Sequence, residues 1–215
     1  MTDPDYVHYI LIIDRSGSMM RIASDAEGGI KSFITKQLEG VDGDKRTVSL
    51  YQFDTVHEKV YDFDLLKKAK NYKLLPRGGT ALLDACGYAI TQEGEKLALM
   101  VEEQRPGYVM VVIVTDGQEN SSKEYTRAQV KEMTEHQQSK YGWRFTYLAA
   151  NQDAFAEAAS IGIAGPSVLS WLSTGRSISS TYDVLSASVS AGTTATASGI
   201  YYTAEQRDQV LKDTP

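Results

Sequence analysis

The sequence predicts an α/β protein: a Rossmann-like three-layer sandwich with a mostly parallel central sheet, one antiparallel edge strand and helices on both faces. Three observations carry that expectation. The run Val109-Met-Val-Val-Ile-Val114 has no polar alternation, which marks a parallel strand covered on both faces. The run Tyr9-Ile-Leu-Ile-Ile13 has the same character. Strand-like and helix-like segments alternate along the chain, which favours crossover connections with helices layered on both sides of one sheet.

Each element follows from local pattern. After the first strand, Ala23, Ala26, Ile30, Phe33, Ile34 and Leu38 recur at helical spacing until Gly40 and Gly43 break the run. Thr47 to Phe53 alternates as a strand, and His57 to Phe63 pairs with it across the short turn Asp54-Thr55-Val56, giving the antiparallel edge. Asp54 and His57 read as solvated turn residues. From Thr80 to about Glu103 the stripe Leu83, Cys86, Ile90, Leu97 and Val101 predicts a helix with a soft point at Gly94, which Pro106-Gly107 closes before the central strand. A helix from Tyr125 to Ser139, a strand from Trp143 to Ala149, a short helix from Ala154 to Ser160 closed by Gly162, and a last strand near Ser167 to Trp171 follow.

Beyond that strand nearly half the residues to Ser198 are Ser or Thr, a composition that suggests disorder. Yet Ile178, Tyr182, Leu185 and Val189 trace one apolar helix face, so 176–190 is expected to form a helix docked on the sheet. Residues 1–190 are thus expected to form one domain, with 191–215 as a C-terminal linker and short helix. Ala191 to Gly199 reads as flexible. Thr203-Ala-Glu-Gln206 fits a capping box for a loosely held helix from Ala204 to Leu211. No internal repeat is present.

Composition narrows the setting. The chain has 215 residues, enough to bury a substantial core. Its 28 acidic and 22 basic residues give a net charge of -6 with no basic block, which argues against broad attachment to nucleic acid or to an anionic membrane. The single Cys86 excludes an intramolecular disulfide and reads as a buried filler, so a cytoplasmic, reducing compartment is the expected location. The N-terminal Met1-Thr-Asp-Pro-Asp-Tyr6 carries acids where a secretory signal carries Lys or Arg, and the apolar run after it is too short to span a bilayer.

The chemistry concentrates where strands end. Tyr9-Ile-Leu-Ile-Ile13 runs into Asp14-Arg-Ser16-Gly17-Ser18, which sets one anionic and two hydroxyl oxygens at alternate positions around a flexible glycine. The central strand ends in Thr115-Asp116-Gly117, and Arg77-Gly78-Gly79-Thr80 delivers a further hydroxyl at a helix start. Oxygen-only donors suit a hard divalent cation, and in an open parallel sheet ligands gather outside the carboxyl ends of the strands. Taken singly, each piece has a plainer role: a capped turn, a helix N-cap at Thr80, a turn at Asp116-Gly117. Their order and placement together favour the metal.

Asp-x-Ser-x-Ser, a later Thr after a Gly-Gly turn, and Thr-Asp-Gly after a strand resemble the von Willebrand factor A domain with its metal-ion-dependent adhesion site, over roughly residues 6–165 and most closely in its small stand-alone bacterial and phage versions. The resemblance implies that Asp14, Ser16, Ser18, Thr80 and Asp116 hold Mg2+ or Mn2+ directly or through water. It also implies that a partner's Asp or Glu completes the coordination. Prokaryotic relatives of this kind often work beside AAA+ ATPases as adaptors in assembly systems. Asp84, one turn after Thr80, either reaches the metal's water shell or simply favours the helix start. Glu119, Asn120, Ser121 and Ser122 either line the rim or cap the next helix, and Asn151, Gln152 and Asp153 stand at another strand end with Asp153 a possible N-cap.

The expected function is therefore a cation-dependent protein-binding module and not an enzyme. A Mg2+-dependent phosphohydrolase is the first alternative. It is disfavoured because Ser16 stands where a second carboxylate would be expected, no Lys or His is placed as a general acid, and no Walker loop is present. A self-assembling structural protein, with a neighbouring copy's acid on the metal, is the second.

Overall fold

The computed structural model describes residues 2–150, 153–171, 175–193 and 199–212. Its elements in chain order are β1 (Asp3–Asp14), α1 (Ala23–Gln37), β2 (Arg46–Phe53), β3 (His57–Leu65), α2 (Leu82–Leu99), β4 (Pro106–Thr115), α3 (Arg127–Tyr141), β5 (Arg144–Ala149), α4 (Ala154–Ser160), β6 (Val168–Ser170), α5 (Gly175–Gly192) and α6 (Ala204–Lys212). The six strands form one sheet in the order β3-β2-β1-β4-β5-β6. All neighbours are parallel except β2 and β3, whose hairpin makes β3 the antiparallel edge.

Strand β1 shows why the sheet is sandwiched. Every residue from Val7 to Asp14 is buried. Because successive side chains point to opposite faces, Val7, Tyr9, Leu11 and Ile13 enter one apolar cluster while Ile10 and Ile12 enter the other. Helices α1 and α5 cover the first face with Ile30, Phe33, Tyr182 and Leu185. On the second, α2, α3 and α4 contribute Ile90, Val130 and Ala158. At ~1.5–3 kcal/mol for each fully buried large apolar side chain, these two layers supply the dominant stabilising term.

Several boundaries differ from the sequence expectation. Pro106 opens β4 instead of preceding it, as a first strand residue that needs no ladder donor can. Helix α2 runs unbroken through Gly94 and stops at Leu99. Helix α5 continues to Gly192, so the first two residues of the expected linker are its last turn, and 194–198 of that linker lie outside the described residues. Helix α6 has the expected capping box, with Gln206 N–H donating to Thr203 Oγ1 at 3.2 Å and Thr203 N–H to Gln206 Oε1 at 2.8 Å. It is not loosely held. Val210, Ile200 and Tyr202 are buried in the first cluster, and the Arg207 guanidinium donates to the carbonyls of Gly165, Pro166 and Val168. Among the described residues, no helix is long and apolar enough to cross a membrane.

Candidate metal centre

Strands β1 and β4 are neighbours, and their carboxyl ends bring Asp14 and Asp116 to the same edge of the sheet. Asp14 is fully buried. Its Oδ1 accepts the Ser16 backbone N–H at 2.6 Å, and its Oδ2 accepts the Thr115 hydroxyl at 2.6 Å. Ser16 Oγ and Ser18 Oγ lie 2.8 Å apart, and Ser18 Oγ donates to Asp116 Oδ1 at 2.6 Å. Thr80 joins from the third side. A methyl group placed on Gly117 would stand 3.0 Å from Thr80 Oγ1, 3.4 Å from Ser18 Oγ and 3.7 Å from Asp14 Oδ2. Three of the five expected donors therefore face one point, and Ser16 and Asp116 reach it through Ser18.

The electrostatics fit a cation there. Burial pushes the Asp14 carboxyl up to about 6, against the hydrogen bonds from Thr115 and Ser16 and with the charge of Asp116 adding to the rise. Burial also raises Asp116, which the Ser18 hydroxyl and, less, Arg21 partly offset. Two carboxylates held in poor solvent beside each other are what a divalent ion would relieve. Among the described residues no group of three or more His, Cys, Asp or Glu could hold a metal. A cation at this edge would thus rest on two carboxylates and three hydroxyls, a hard-oxygen set that fits Mg2+ or Mn2+.

The loops are tied by contacts that local pattern did not reveal. Thr115, which reads only as the last strand residue, links β4 to Asp14. Asp54 corrects the expectation of a solvated turn. It is buried, accepts Arg15 Nε and Arg77 Nε each at 2.8 Å, and accepts the Val56 N–H at 3.0 Å. Burial alone would raise its carboxyl, but Arg77, the Val56 N–H and Arg15 hold it below the usual range. Asp54 thereby joins the first loop to the second, alongside backbone bonds from Arg77 N–H to Arg15 O at 2.7 Å and from Gly17 N–H to Gly78 O at 3.1 Å. His57 at the same turn packs its ring on Tyr88 with centroids 4.3 Å apart.

The remaining candidates act on the backbone. Asp84 accepts the N–H groups of Lys123, Glu124 and Tyr125 at 2.8–2.9 Å, so it ties the start of α2 to the third loop. Glu119 accepts the Leu83 N–H and the hydroxyl of Ser122, Asn120 Oδ1 accepts the Thr80 N–H, and Ser122 Oγ accepts the Asp84 N–H. These residues cap α2, not the helix that follows them. The N-cap position of α2 is Ala81, without a side-chain cap, so Thr80 keeps its hydroxyl for the site. Asp153 makes no cap for α4 and instead accepts Gln118 Nε2 at 3.1 Å. Asn151 and Gln152 lie outside the described residues. Cys86 is buried and unpaired, and burial pushes its thiol up, away from any nucleophilic role.

No family model and no curated protein matches the sequence. The structure, in contrast, is similar to solved ones. Proximal thread matrix protein 1 from the mussel byssus aligns with a TM-score of 0.64 at 13% identity, over 83% of this chain and 46% of that one, so the chain spans less than half of that protein's length. A second structure of it, described with a zinc-occupied MIDAS motif, gives 0.61 at 14% identity over 84% and 45%. The vWF domain of the type V pili tip protein Mfa5 from Porphyromonas gingivalis gives 0.63 at 12% identity over 88% of this chain and 96% of that one. With its six-stranded, mostly parallel sheet and helices on both faces, the chain has the fold of the von Willebrand factor A domain.

Proposed function

We propose that this chain is a divalent-cation-dependent protein-binding module whose partner presents an Asp or Glu to the metal. The observation that carries the reading is the convergence of Asp14, Ser18 and Thr80 oxygens on the point beside Gly117, at the edge of the sheet. Asp14, Ser16, Ser18, Thr80 and Asp116 would hold Mg2+ or Mn2+. When bound, the ion would offer a coordination position to an anionic oxygen, because two carboxylates at most neutralise it and hydroxyls add no charge. The chain's own residues do the rest. Thr115 and the Ser16 N–H fix Asp14, Ser18 orients Asp116, and the Asp54 clamp holds the first two loops in register.

Zinc in the MIDAS motif of the mussel protein supports a divalent ion in such a motif. An adaptor role beside an AAA+ ATPase rests on the sequence resemblance, and the cytoplasmic setting on the lone Cys86. Isothermal titration of metal-stripped protein with Mg2+ and Mn2+ tests the site, beside a folded Asp14→Ala, Asp116→Ala double variant. Binding by wild type alone supports it; binding by neither, or equally by both, rejects it. Pull-down with and without chelator then reads the partner, and concentration-dependent mass with and without Mg2+ separates capture of another protein from self-assembly. Turnover of a phosphate ester lost in Asp14→Ala would turn the assignment to a hydrolase.

A further inference from the structure

A cavity of about 620 Å3 opens between α2 and α3, lined in part by Pro106 and Trp143 at the amino ends of β4 and β5. It therefore lies at the opposite end of the sheet from Asp14 and Asp116. Its volume falls within the ~300–1,000 Å3 of small-molecule sites. The walls are apolar: Ile90, Leu97, Val109 and Trp143 are all buried there, and Met133 adds a pliable surface. His136 and Tyr141 extend the aromatic lining toward solvent, their rings edge-on with centroids 5.6 Å apart.

The charge around this cavity is net negative, two carboxylates against one guanidinium. Glu95 of α2 and Glu132 of α3 border it from its two helices, and among the described residues neither is engaged by a basic side chain. Arg105 also lines it, with its guanidinium held against backbone through Nε to the Met100 carbonyl at 2.8 Å and through Nη2 to the Ala98 carbonyl at 2.9 Å. An anionic ligand would meet two carboxylates against a single guanidinium already partly engaged by backbone carbonyls. A neutral apolar ligand would leave both carboxylates unused. A cation set among aromatic rings and carboxylates gains from both.

We infer that this cavity binds a small organic cation, an amine or quaternary ammonium borne on an apolar body that fills the Trp143 end. The inference is independent of the metal site, so its test is run with chelator present. The full-length chain is titrated with 4-phenylbutylamine, and in parallel with 4-phenylbutanol and 4-phenylbutyrate, following the Trp143 indole N–H and Gly94 amide signals by NMR. A Trp143→Phe variant assigns the indole.

Saturable shifts are expected with the amine, about five- to tenfold weaker binding of the alcohol, and weaker binding still of the carboxylate. Glu95→Gln with Glu132→Gln should weaken the amine by a similar factor and leave the alcohol unchanged; both side chains are exposed, so the fold is not at stake. Gly94→Leu, which adds volume at the lining and favours the helix, should remove binding of all three. Equal affinity for amine and alcohol, an unchanged amine affinity in the double Gln variant, or no saturable shift at Trp143 would each overturn the inference.

Discussion

Two adjacent glycines in α1 allow the docking of α5 to be tested against helix propensity alone. Gly28 is exposed and an added Cβ meets nothing within 4 Å, so Gly28→Ala should stabilise by about 1 kcal/mol, the ordinary gain of Ala over Gly in a helix interior. Gly29 has the same local preference, but its added Cβ would stand 2.0 Å from Cδ2, 2.3 Å from Cε2 and 2.7 Å from Cγ of Tyr182. Ordinary contact begins near 3.4 Å, so the ring would have to retreat by more than an ångström into a layer where Ile178 and Leu185 are also buried. Overpacking of that kind costs about 1–3 kcal/mol and more where no room exists, which exceeds the propensity gain. Gly29→Ala should therefore destabilise by about 2 kcal/mol, some 3 kcal/mol below its neighbour. In a chain of this size that is a fall of roughly 4–8 °C against a rise of roughly 2–4 °C. Thermal and urea unfolding followed by circular dichroism measures both. A double-mutant cycle adding Tyr182→Ala should show the loss at Gly29 largely cancelled. Equal stabilisation by the two alanines would refute the α1–α5 packing.

Three further outcomes follow from the site and the core. Gly117→Ala places its methyl 3.0 Å from Thr80 Oγ1 and 3.4 Å from Ser18 Oγ, so titration calorimetry should find Mg2+ affinity reduced by at least about tenfold at unchanged melting temperature; wild-type affinity would remove the cradle as the cation's position. Asp54→Asn leaves the Arg15 guanidinium, 6% exposed, with Glu58 as its remaining charged partner, and should cost about 2 kcal/mol in urea unfolding while also weakening Mg2+ binding through the loosened first loop. The buried pair His8–Glu93 sets the acid limit of stability. Burial lowers His8, so from its ordinary 6.5 downward the unfolded chain takes up a proton that the folded chain refuses. Glu93 is held low by His8, Tyr51 and Lys59 against the rise burial would cause, so its contribution is present above 4.5 and is lost as pH falls through the lowered value. Both act in one direction. His8 lowers stability below pH 6.5 by up to ~1.4 kcal/mol per pH unit while Asp14, raised to about 6, opposes that fall from there downward, so the effect is read by difference: the urea midpoint of wild type should drop relative to that of His8→Gln as pH falls from 7 to 5, and parallel profiles contradict it.

The layers were legible because burial on both faces leaves an unbroken apolar run, which is how β1 and β4 announce themselves, and because α1 and α5 each carry a single apolar stripe. Asp14 and Asp116 were legible as candidates because they stand at strand ends, where side chains leave the ladder, and Thr80 because a Gly-Gly turn sets it just before a helix. Other positions carried no local signal. Asp54 in a hairpin turn looks like any solvated turn carboxylate until Arg15 and Arg77 arrive from two other loops, one 39 and the other 23 residues away. Thr115 looks like the last residue of a strand, and its hydroxyl finds Asp14 only because β1 and β4 are neighbours. His8 and Glu93 looked like nothing in particular, being 85 residues apart in sequence and fully buried in contact.

The start of α2 shows why such residues escape a reading of the chain. Helix caps are normally sought within a few residues of the helix, where Ser, Thr, Asp or Asn can satisfy the free N–H groups. Here the first turn of α2 is capped from the third loop, by Glu119 on Leu83 N–H and Ser122 on Asp84 N–H, while Asn120 holds the Thr80 N–H just before the helix. Asp84 returns the exchange by accepting three N–H groups from Lys123, Glu124 and Tyr125. Each segment thus satisfies the other's backbone, and neither can move alone without leaving buried donors unpaired, at about 1–3 kcal/mol apiece. The two segments so joined carry Thr80 and Asp116. Non-local capping therefore does more than start a helix: it fixes the distance between two oxygens on different loops, which a site built from single side chains on flexible turns would otherwise lack.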